Sequence, residues 1–243
     1  MRGTAPKLSA SREPPSGSRR PCRVSASVRT GDRRGTLSSV MTSDLVLNNR
    51  LSILVDFLSE NPRYRPSRVG RGSTFGSHNY QDDLKRKFLK GREVLAIAPP
   101  TTIPDPLVSL VLEVHFEVSH SQLERVRREH SLSMAAENAV GGLLERYIAE
   151  VVETRGWVWC SGDTAKSIDF IRRSGRDWKK LQVKNRDNSE NSSSAAIRDG
   201  TDIEKWYRTK SRSGETRWED FPEVGLSEEK FQNFCRRYLG GRR

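Results

Sequence analysis

Polar residues interrupt two neighbouring apolar runs in the middle of the chain. Asp169 lies in an apolar run over residues 167–171, and the next strand-like run, over residues 178–183, continues into Lys184. Side chains alternate between the two faces of a β-strand, so Gln182 and Lys184 are expected on the same face. An antiparallel neighbour strand would bring Asp169 beside them. The pattern predicts a β-hairpin that carries a carboxylate, an amide and a lysine at one end.

These three side chains suit metal-assisted cleavage of a phosphodiester. A cation held by Asp169 would polarise the phosphodiester, and Lys184 would steady the attacking water or the developing negative charge. An ordinary surface hairpin can carry the same residues, so the triplet alone leaves both interpretations open.

The segment before the hairpin is predicted to be a helix. Ser133 can cap a helical run over residues 134–155, and Gly156 would end it. Two glutamates of this run are candidates for a further carboxylate ligand: Glu145 at the edge of the apolar stripe and Glu137 in its middle. A glutamate that faces a core is costly unless it is paired or binds a metal, so a buried, hydrogen-bonded Glu137 is the alternative.

Further helices are predicted from capping residues, prolines and apolar spacing. They start at Ser43 or Asp44 (ending at Asn61-Pro62), at Asp105, at the capping box Ser121-x-x-Glu124, at the capping box Thr201-x-x-Glu204 with Trp206 and Tyr207, and at Ser227 (ending at Gly240). A strand over residues 111–118 is an alternative. The arginine-rich loop over residues 61–77 is expected either to contact phosphates or to be a solvated linker.

Charge is concentrated at the start of the chain. The 243 residues carry a net charge of +12, and residues 1–40 contribute +7 of it, from nine Lys and Arg against two acidic residues. This segment is also poor in large apolar residues, so we expect a disordered basic extension or a translation start placed too early, before Met41. We expect a mostly helical region over residues 41–132 and a further region over 133–243.

The three cysteines, Cys22, Cys160 and Cys235, are far apart in the sequence. Their spacing argues for a reducing compartment and against a zinc site. No apolar run approaches the length that spans a bilayer.

The predicted order of helix, strand, strand with Asp169 and strand with Lys184 resembles the αβββ core of the PD-(D/E)xK nuclease superfamily, a mixed α/β fold. Gly141-x-x-x-Glu145-Arg146, with Gly156 eleven residues after the glutamate, is similar to the first helix of this core in archaeal Holliday-junction resolvases. The resemblance implies that Glu145, Asp169 and Lys184 are catalytic.

Gln182 departs from the superfamily pattern, in which Asp or Glu usually stands at this position. A neutral amide is a poorer cation ligand, so the metal would rely on Asp169, Glu145 and a backbone carbonyl such as that of Val183. Whether one or two metal ions bind stays open.

A second resemblance covers the chain from about Met41 to the C-terminus. Residues 181–194 and the later Trp206, Trp218 and Phe221-Pro222 look like type II restriction endonucleases of the SinI kind. The resemblance implies a cytoplasmic bacterial enzyme that uses Mg²⁺ and acts on double-stranded DNA at a short site similar to GGWCC. It also implies a homodimer and a cognate DNA methyltransferase as partner.

The polar stretch after the catalytic lysine is the predicted recognition segment, since Arg and Asn side chains can read base edges in the major groove. A flexible polar loop is the alternative. The candidate DNA-binding residues are Arg186, Asn188, Asn191, Ser192 and Arg198.

Two other functions remain open from the sequence. One is a structure-selective resolvase or repair nuclease on the same core. The other is a DNA-binding protein whose nuclease site has decayed, since Gln182 removes one carboxylate.

Overall fold

The computed structural model describes residues 33–67, 69–70, 72–101, 103, 105–187 and 200–241, with side chains from Asp44 onward. The chain divides into two units, Met1–Thr42 and Ser43–Arg243. The helices are α1 (Arg33–Glu60), α2 (His78–Arg92), α3 (Pro106–Val114), α4 (His120–Val152) and α5 (Glu228–Gly240). The strands are β1 (Trp157–Trp159), β2 (Phe170–Ser174), β3 (Asp177–Arg186) and β4 (Glu204–Thr209).

The four strands form one sheet in the order β1-β2-β3-β4. β1, β2 and β3 are antiparallel neighbours, and β4 runs parallel to β3. The β2–β3 hairpin closes through Gly175, whose positive φ of 63° suits a tight turn. Phe170 pairs with Leu181 at the open end of this hairpin, and the backbone N–H of Asp169, just before β2, also donates to Leu181 O.

Apolar side chains cover both faces of the sheet. On one face, Phe170 and Leu181 pack in a core cluster with residues of α4 and α5. On the other face, Val158 and Ile171 pack in a second cluster with residues of α1 and α2. The alternation of strand side chains thus places the sheet between two helical layers.

The fold class and the central hairpin agree with the sequence predictions. Mixed α/β architecture is confirmed, with a helix followed by three antiparallel strands. The ends of three helices are also as predicted: α1 stops before Asn61-Pro62, Asp105 caps α3 by accepting from Leu107 N at 2.9 Å, and Ser227 caps α5. The division at residue 133 stays a prediction.

Several helix boundaries differ from the predictions. The caps predicted for separate helices at Ser121 and Ser133 are wrong, because α4 runs without a break through both from His120. The cap predicted at Ser43 or Asp44 is wrong for the same reason, since α1 continues through it. Residues 106–114 are helical, so the alternative of a strand over 111–118 is also wrong.

The helix predicted from Thr201 is wrong: Glu204–Thr209 is strand β4. The capping-box pattern was outweighed by pairing with β3, in which Trp206 lies opposite Val183 and Tyr207 opposite Lys184. Trp206 is buried in the core cluster between the sheet and helices α4 and α5. Pairing with β3 buries the large Trp206 side chain, and this burial outweighs the local capping signal.

Within the described residues, no helix is long and apolar enough to cross a membrane. Cys160 and Cys235 are both free thiols, and Cys160 is buried.

Candidate active site

Asp169 immediately precedes β2, and its backbone bonds to both neighbouring strand segments. Its backbone N–H donates to Leu181 O at 2.9 Å, and its carbonyl accepts from Cys160 N at 2.8 Å. Its side-chain Oδ2 accepts from Val183 N at 2.7 Å. Backbone and side chain are therefore both held by the sheet, and the second carboxylate oxygen, Oδ1, is left for other contacts.

Glu145 projects from α4, in the turn after the buried Leu144. Its Oε2 accepts a hydrogen bond of 3.0 Å from the indole Nε1 of Trp159, the last residue of β1. Glu145 and Asp169 are both half-buried. The helix and the sheet each supply one carboxylate to the same place, and the catalytic role of Glu145 stays a prediction.

The electrostatics show that the two carboxyl groups are close. Burial, followed by the charge of Asp169, raises the pKa of Glu145 to about 8. Burial also raises the pKa of Asp169 to about 6, although the Val183 hydrogen bond and the positive charge of Lys184 lower it. Two ionised carboxylates are unfavourable here without a counter-charge.

Gln182 and Lys184 are two residues apart on β3. Leu181 and Val183 point into the cluster with α4. Strand alternation places Gln182 and Lys184 on the opposite face, together with Lys180, whose Nζ bonds to Asp202. Gln182 is buried and Lys184 half-buried. The shared face predicted for these two residues is therefore consistent with the packing of their neighbours.

A loop held by α2 leads into Asp169. Ser161 Oγ donates to Phe88 O at 2.7 Å. Gly91 of α2 and Gly162 of the loop approach so closely that a Cβ on Gly91 would lie 2.3 Å from Gly162 N. Helix α2 was missed by the sequence analysis, although Tyr80, Leu84 and Phe88 recur at four-residue spacing and are all buried.

Glu137 does not belong to this site. It is exposed on α4, so the prediction that it faces a core is wrong. Its neighbours Ala135 and Ala139 mark the buried side of the helix at this level. A different acid, the exposed Asp163, adds negative charge that raises the pKa of both Glu145 and Asp169. Sequence pattern gave no signal for it, because it lies in a loop.

Of the predicted DNA-binding residues, only Arg186 is among the described ones. It ends β3, is exposed, and lies opposite Thr209 of β4. Asn188, Asn191, Ser192 and Arg198 lie outside the described residues.

Two arginines of the 61–77 loop make contacts within the protein. Arg63 bonds to Asp202 at 2.8 Å and lies over the Tyr64 ring. Arg65 donates to Leu58 O at 2.9 Å and stacks on Phe75. These contacts favour a role in holding the loop to α1 and to the segment before β4.

The oxygen donors of the site fit a hard divalent cation. Among the described residues, no group of three or more His, Cys, Asp and Glu side chains is arranged to hold a metal. Mg²⁺ nevertheless binds commonly through one or two carboxylates together with substrate phosphate. Glu145 and Asp169 provide those carboxylates, and their raised pKa values indicate an excess of negative charge that a cation would offset.

The comparisons with known proteins cover most of the chain. The model of the SinI restriction endonuclease family matches residues 36–241. The type II restriction enzyme Eco47I of Escherichia coli is 45% identical over 201 residues, which are 79% of this chain and 87% of that protein. The type II restriction enzyme SinI of Salmonella infantis is 45% identical over 205 residues, again 79% of this chain and 87% of that protein.

The expected resemblance is thereby confirmed, and it extends over both helical layers and the sheet. With this match and these identities, the chain belongs to the SinI restriction endonuclease family.

Proposed function

We propose that this protein binds double-stranded DNA at a short specific sequence and hydrolyses one phosphodiester bond in each strand. The observation that carries the proposal is the carboxylate pair. Asp169 is fixed by Val183 N–H, and Glu145 is fixed by Trp159. The charge of Lys184 acts on the same Asp169 carboxyl.

The proposed cofactor is Mg²⁺, bound by Glu145, Asp169 and the carbonyl of Val183. Gln182, two residues before Lys184 on β3, is the candidate to add an amide oxygen or to orient a water molecule. When bound, the cation supplies Lewis-acid polarisation of the phosphate and lowers the pKa of a coordinated water.

The protein's own groups have distinct roles in this proposal. Asp169 and Glu145 each keep one oxygen engaged by a hydrogen bond from the protein, which orients the other oxygen toward the site. Lys184 offers a positive charge to the phosphate oxygens as negative charge develops on them. The half-buried position of these groups strengthens each electrostatic interaction relative to water.

Recognition is proposed to lie in the segment after β3. Arg186, Asn188, Asn191, Ser192 and Arg198 are the candidate contacts, since the chain leaving Lys184 is within reach of the groove next to the scissile phosphate. The proposed target is a site similar to GGWCC. A cognate methyltransferase would protect the host's own copies of that site in the bacterial cytoplasm.

A homodimer is the proposed active form. A short palindromic site presents the same surface twice, related by a two-fold axis, and a symmetric dimer matches it. Each subunit would then cut one strand with its own carboxylate pair.

Digestion of plasmid DNA with Mg²⁺ tests the function. Discrete fragments from the wild-type protein are expected. Asp169→Ala and Lys184→Ala should lose cleavage by a factor equivalent to about 3 kcal/mol or more while DNA binding is retained. Asp177→Ala and Lys179→Ala are matched controls, because both residues are exposed on the same strand, β3, and should leave cleavage unchanged.

Two results would contradict the proposal. Cutting only of branched substrates would favour a resolvase, and sequence-specific binding without any cutting would favour a decayed nuclease. Near wild-type cutting by Asp169→Ala or Lys184→Ala would remove the site assignment.

The helix carboxylate has its own test. Glu145→Gln should raise the Mg²⁺ concentration needed for half-maximal cleavage, whereas the exposed Glu137→Gln should leave it unchanged. If the metal titration shows a higher Mg²⁺ requirement for Glu137→Gln than for Glu145→Gln, the metal-binding role belongs to Glu137.

A further inference from the structure

Helix α3 and the first half of α4 form a segment with little buried surface. Between residues 94 and 134, the only buried side chains among the described residues are Ser109 and Leu123. The dense packing of α4 begins beyond this segment, at Ala135. We call residues 94–134 the arm.

The apolar face of α3 points to solvent. Leu107, Leu110, Val111 and Val114 follow the spacing of one helical stripe and are 50–74% exposed. The side of α3 that meets α4 carries the buried Ser109, whose hydroxyl bonds to Arg127 of α4, and also Leu112, which lines the groove between the helices. Amphipathic helices normally bury their apolar stripe, so this helix is oriented as if a partner covered its outer side.

The exposed apolar surface is large enough for a stable interface. Ile103, Val108 and Phe116, which lie before, on and after α3 in the chain, are also exposed, at 93%, 56% and 63%. Together with the four stripe residues they expose on the order of 800 Å², which is the area that each partner buries in a standard-sized interface.

A groove beside the stripe adds a concave part to the surface. It has a volume of about 450 Å³ and is lined on the α4 side by Val126, His130 and Met134. A flat stripe next to such a groove can be matched in shape by a ridge of apolar side chains.

The chain's own remaining segments are unsuited to cover the stripe. Residues 1–32 are rich in Arg, Ser, Pro and Gly, and residues 188–199 are mostly Asn, Ser and charged. DNA is also unsuited, because phosphates bind to cations and polar donors, and the stripe offers neither. The occupant must bring apolar surface of its own.

A second copy of this chain meets that need. Each chain supplies one Glu145–Asp169 pair from its described residues, whereas cutting both DNA strands in a single binding event needs two such pairs. This argument for a second copy rests on the proposed function. In a two-fold interface the same patch appears on both partners, and an apolar stripe is complementary to itself.

We propose that the α3 stripe, Leu107, Leu110, Val111 and Val114, packs against the same stripe of a second copy and forms the homodimer interface. The groove along α4 receives side chains from the partner's arm. The two carboxylate pairs lie outside this interface, because Glu145 follows the arm on the same helix by 11 residues or more, at roughly 1.5 Å per residue.

The test is the molar mass of the full chain in solution, measured by light scattering or sedimentation at several concentrations. The wild-type protein should have the mass of a dimer. Leu107→Glu and Val114→Glu should shift the monomer–dimer equilibrium by about 100-fold or more toward monomer, because each charge enters the interface twice. Leu45→Glu is the matched control, since Leu45 is 68% exposed on helix α1 and Leu107 is 66% exposed on α3.

Dimers of Leu107→Glu and Val114→Glu as stable as the wild type would overturn the proposal, and so would a monomeric wild-type protein. Circular dichroism of the variants checks that the exposed positions tolerate the charge. The mass readout needs no cleavage, so Asp169→Ala should remain a dimer. A dimer that does not cut DNA would contradict the proposed cleavage alone, and a cutting dimer that Leu107→Glu and Val114→Glu leave intact would contradict only this interface.

Discussion

The indole Nε1 of Trp159 donates a hydrogen bond of 3.0 Å to Oε2 of Glu145. This bond links the end of β1 to α4 and favours the ionised form of Glu145, whose pKa it lowers against the opposing effect of burial. Trp159 is buried and was not among the residues expected at the site. We infer that it orients the carboxylate proposed to bind the metal.

The first prediction concerns Trp159→Phe. The ring is largely kept and the donor is lost, so Glu145 should bind Mg²⁺ less well. A hydrogen bond to a charged group contributes about 1.5–3 kcal/mol, so the Mg²⁺ concentration for half-maximal cleavage should rise by about tenfold or more. The rate at saturating Mg²⁺ should stay near that of the wild type.

Trp157→Phe is the control for this prediction. Trp157 is also buried on β1, but its indole donates to Glu223 at 3.1 Å and not to Glu145. Equal Mg²⁺ requirements in the two variants would show that Trp159 acts only through packing.

The second prediction is a pH dependence of metal binding. Burial and the Asp169 charge raise the pKa of Glu145 to about 8, so the metal-free protein at neutral pH holds a proton that Mg²⁺ must displace. Mg²⁺ affinity should therefore increase as pH rises toward about 8 and level off above it. Calorimetry in buffers of different ionisation enthalpy should detect the released proton, and Glu145→Gln should remove most of this release.

The same pKa shift has a consequence for stability. The folded state keeps the Glu145 proton above pH 4.5, the ordinary value for the group, while the unfolded state loses it. The folded state therefore binds more protons, so the free energy of unfolding of the metal-free protein should fall as pH rises from about 4.5 to about 8. Glu145→Gln should flatten this decrease in thermal unfolding experiments, and an unchanged slope would contradict the assignment.

The third prediction compares two helical glycines. A Cβ on Gly91 would collide with the backbone of Gly162 at 2.3 Å, so Gly91→Ala should displace the loop that leads to Asp169. A loss of about 1–3 kcal/mol in the free energy of unfolding is expected, with slower cleavage at saturating Mg²⁺.

Gly141→Ala is the control, because nothing lies within 4 Å of a Cβ at this position of α4. It should stabilise the protein by about 0.5–1 kcal/mol, the usual gain from alanine over glycine within a helix. Thermal unfolding distinguishes the expected loss of stability in Gly91→Ala from the expected gain in Gly141→Ala. Destabilisation by both variants would show that α4 is constrained at Gly141 in some other way.

The sequence predicted those parts of the site that depend on strand alternation. Asp169, Gln182 and Lys184 are separated by a short turn and alternate with apolar residues, so their relation follows from local geometry. Glu145 needed the resemblance to known nucleases, because the helical stripe alone did not exclude Glu137, which proved to be exposed.

The parts that the sequence did not predict depend on contacts between distant segments. β4 was read as a helix because Thr201 and Glu204 fit a capping box, whereas its conformation is set by parallel pairing with β3. The support of Asp169 through Ser161 and Phe88 joins residues 73 positions apart. No local pattern carries that information.

The fourth prediction is that protein beginning at Met41 cleaves DNA as well as the full chain. Among the side chains of α1 that the structure describes, from Asp44 onward, the first buried one is Leu54, and residues Met1–Thr42 form a separate unit. The first 40 residues carry a charge of +7, so if this segment contacted DNA it would add affinity that falls steeply with salt. Loss of cleavage by the truncated protein would show that the segment contributes to function.

The last prediction concerns sequence recognition after β3. In the proposed function Lys184 lies at the scissile phosphate, and Arg186 follows two residues later on the same strand, exposed at its end. A bidentate contact to a base contributes about 1–3 kcal/mol of discrimination at one position, whereas loss of a phosphate contact weakens binding to all sequences alike. Arg186→Ala and Asn188→Ala should therefore reduce the ratio of cleavage at the cognate site to cleavage at sites with one altered base. If both variants keep the wild-type ratio while their overall rate falls, these residues contact the backbone, and specificity must be assigned to another part of the chain.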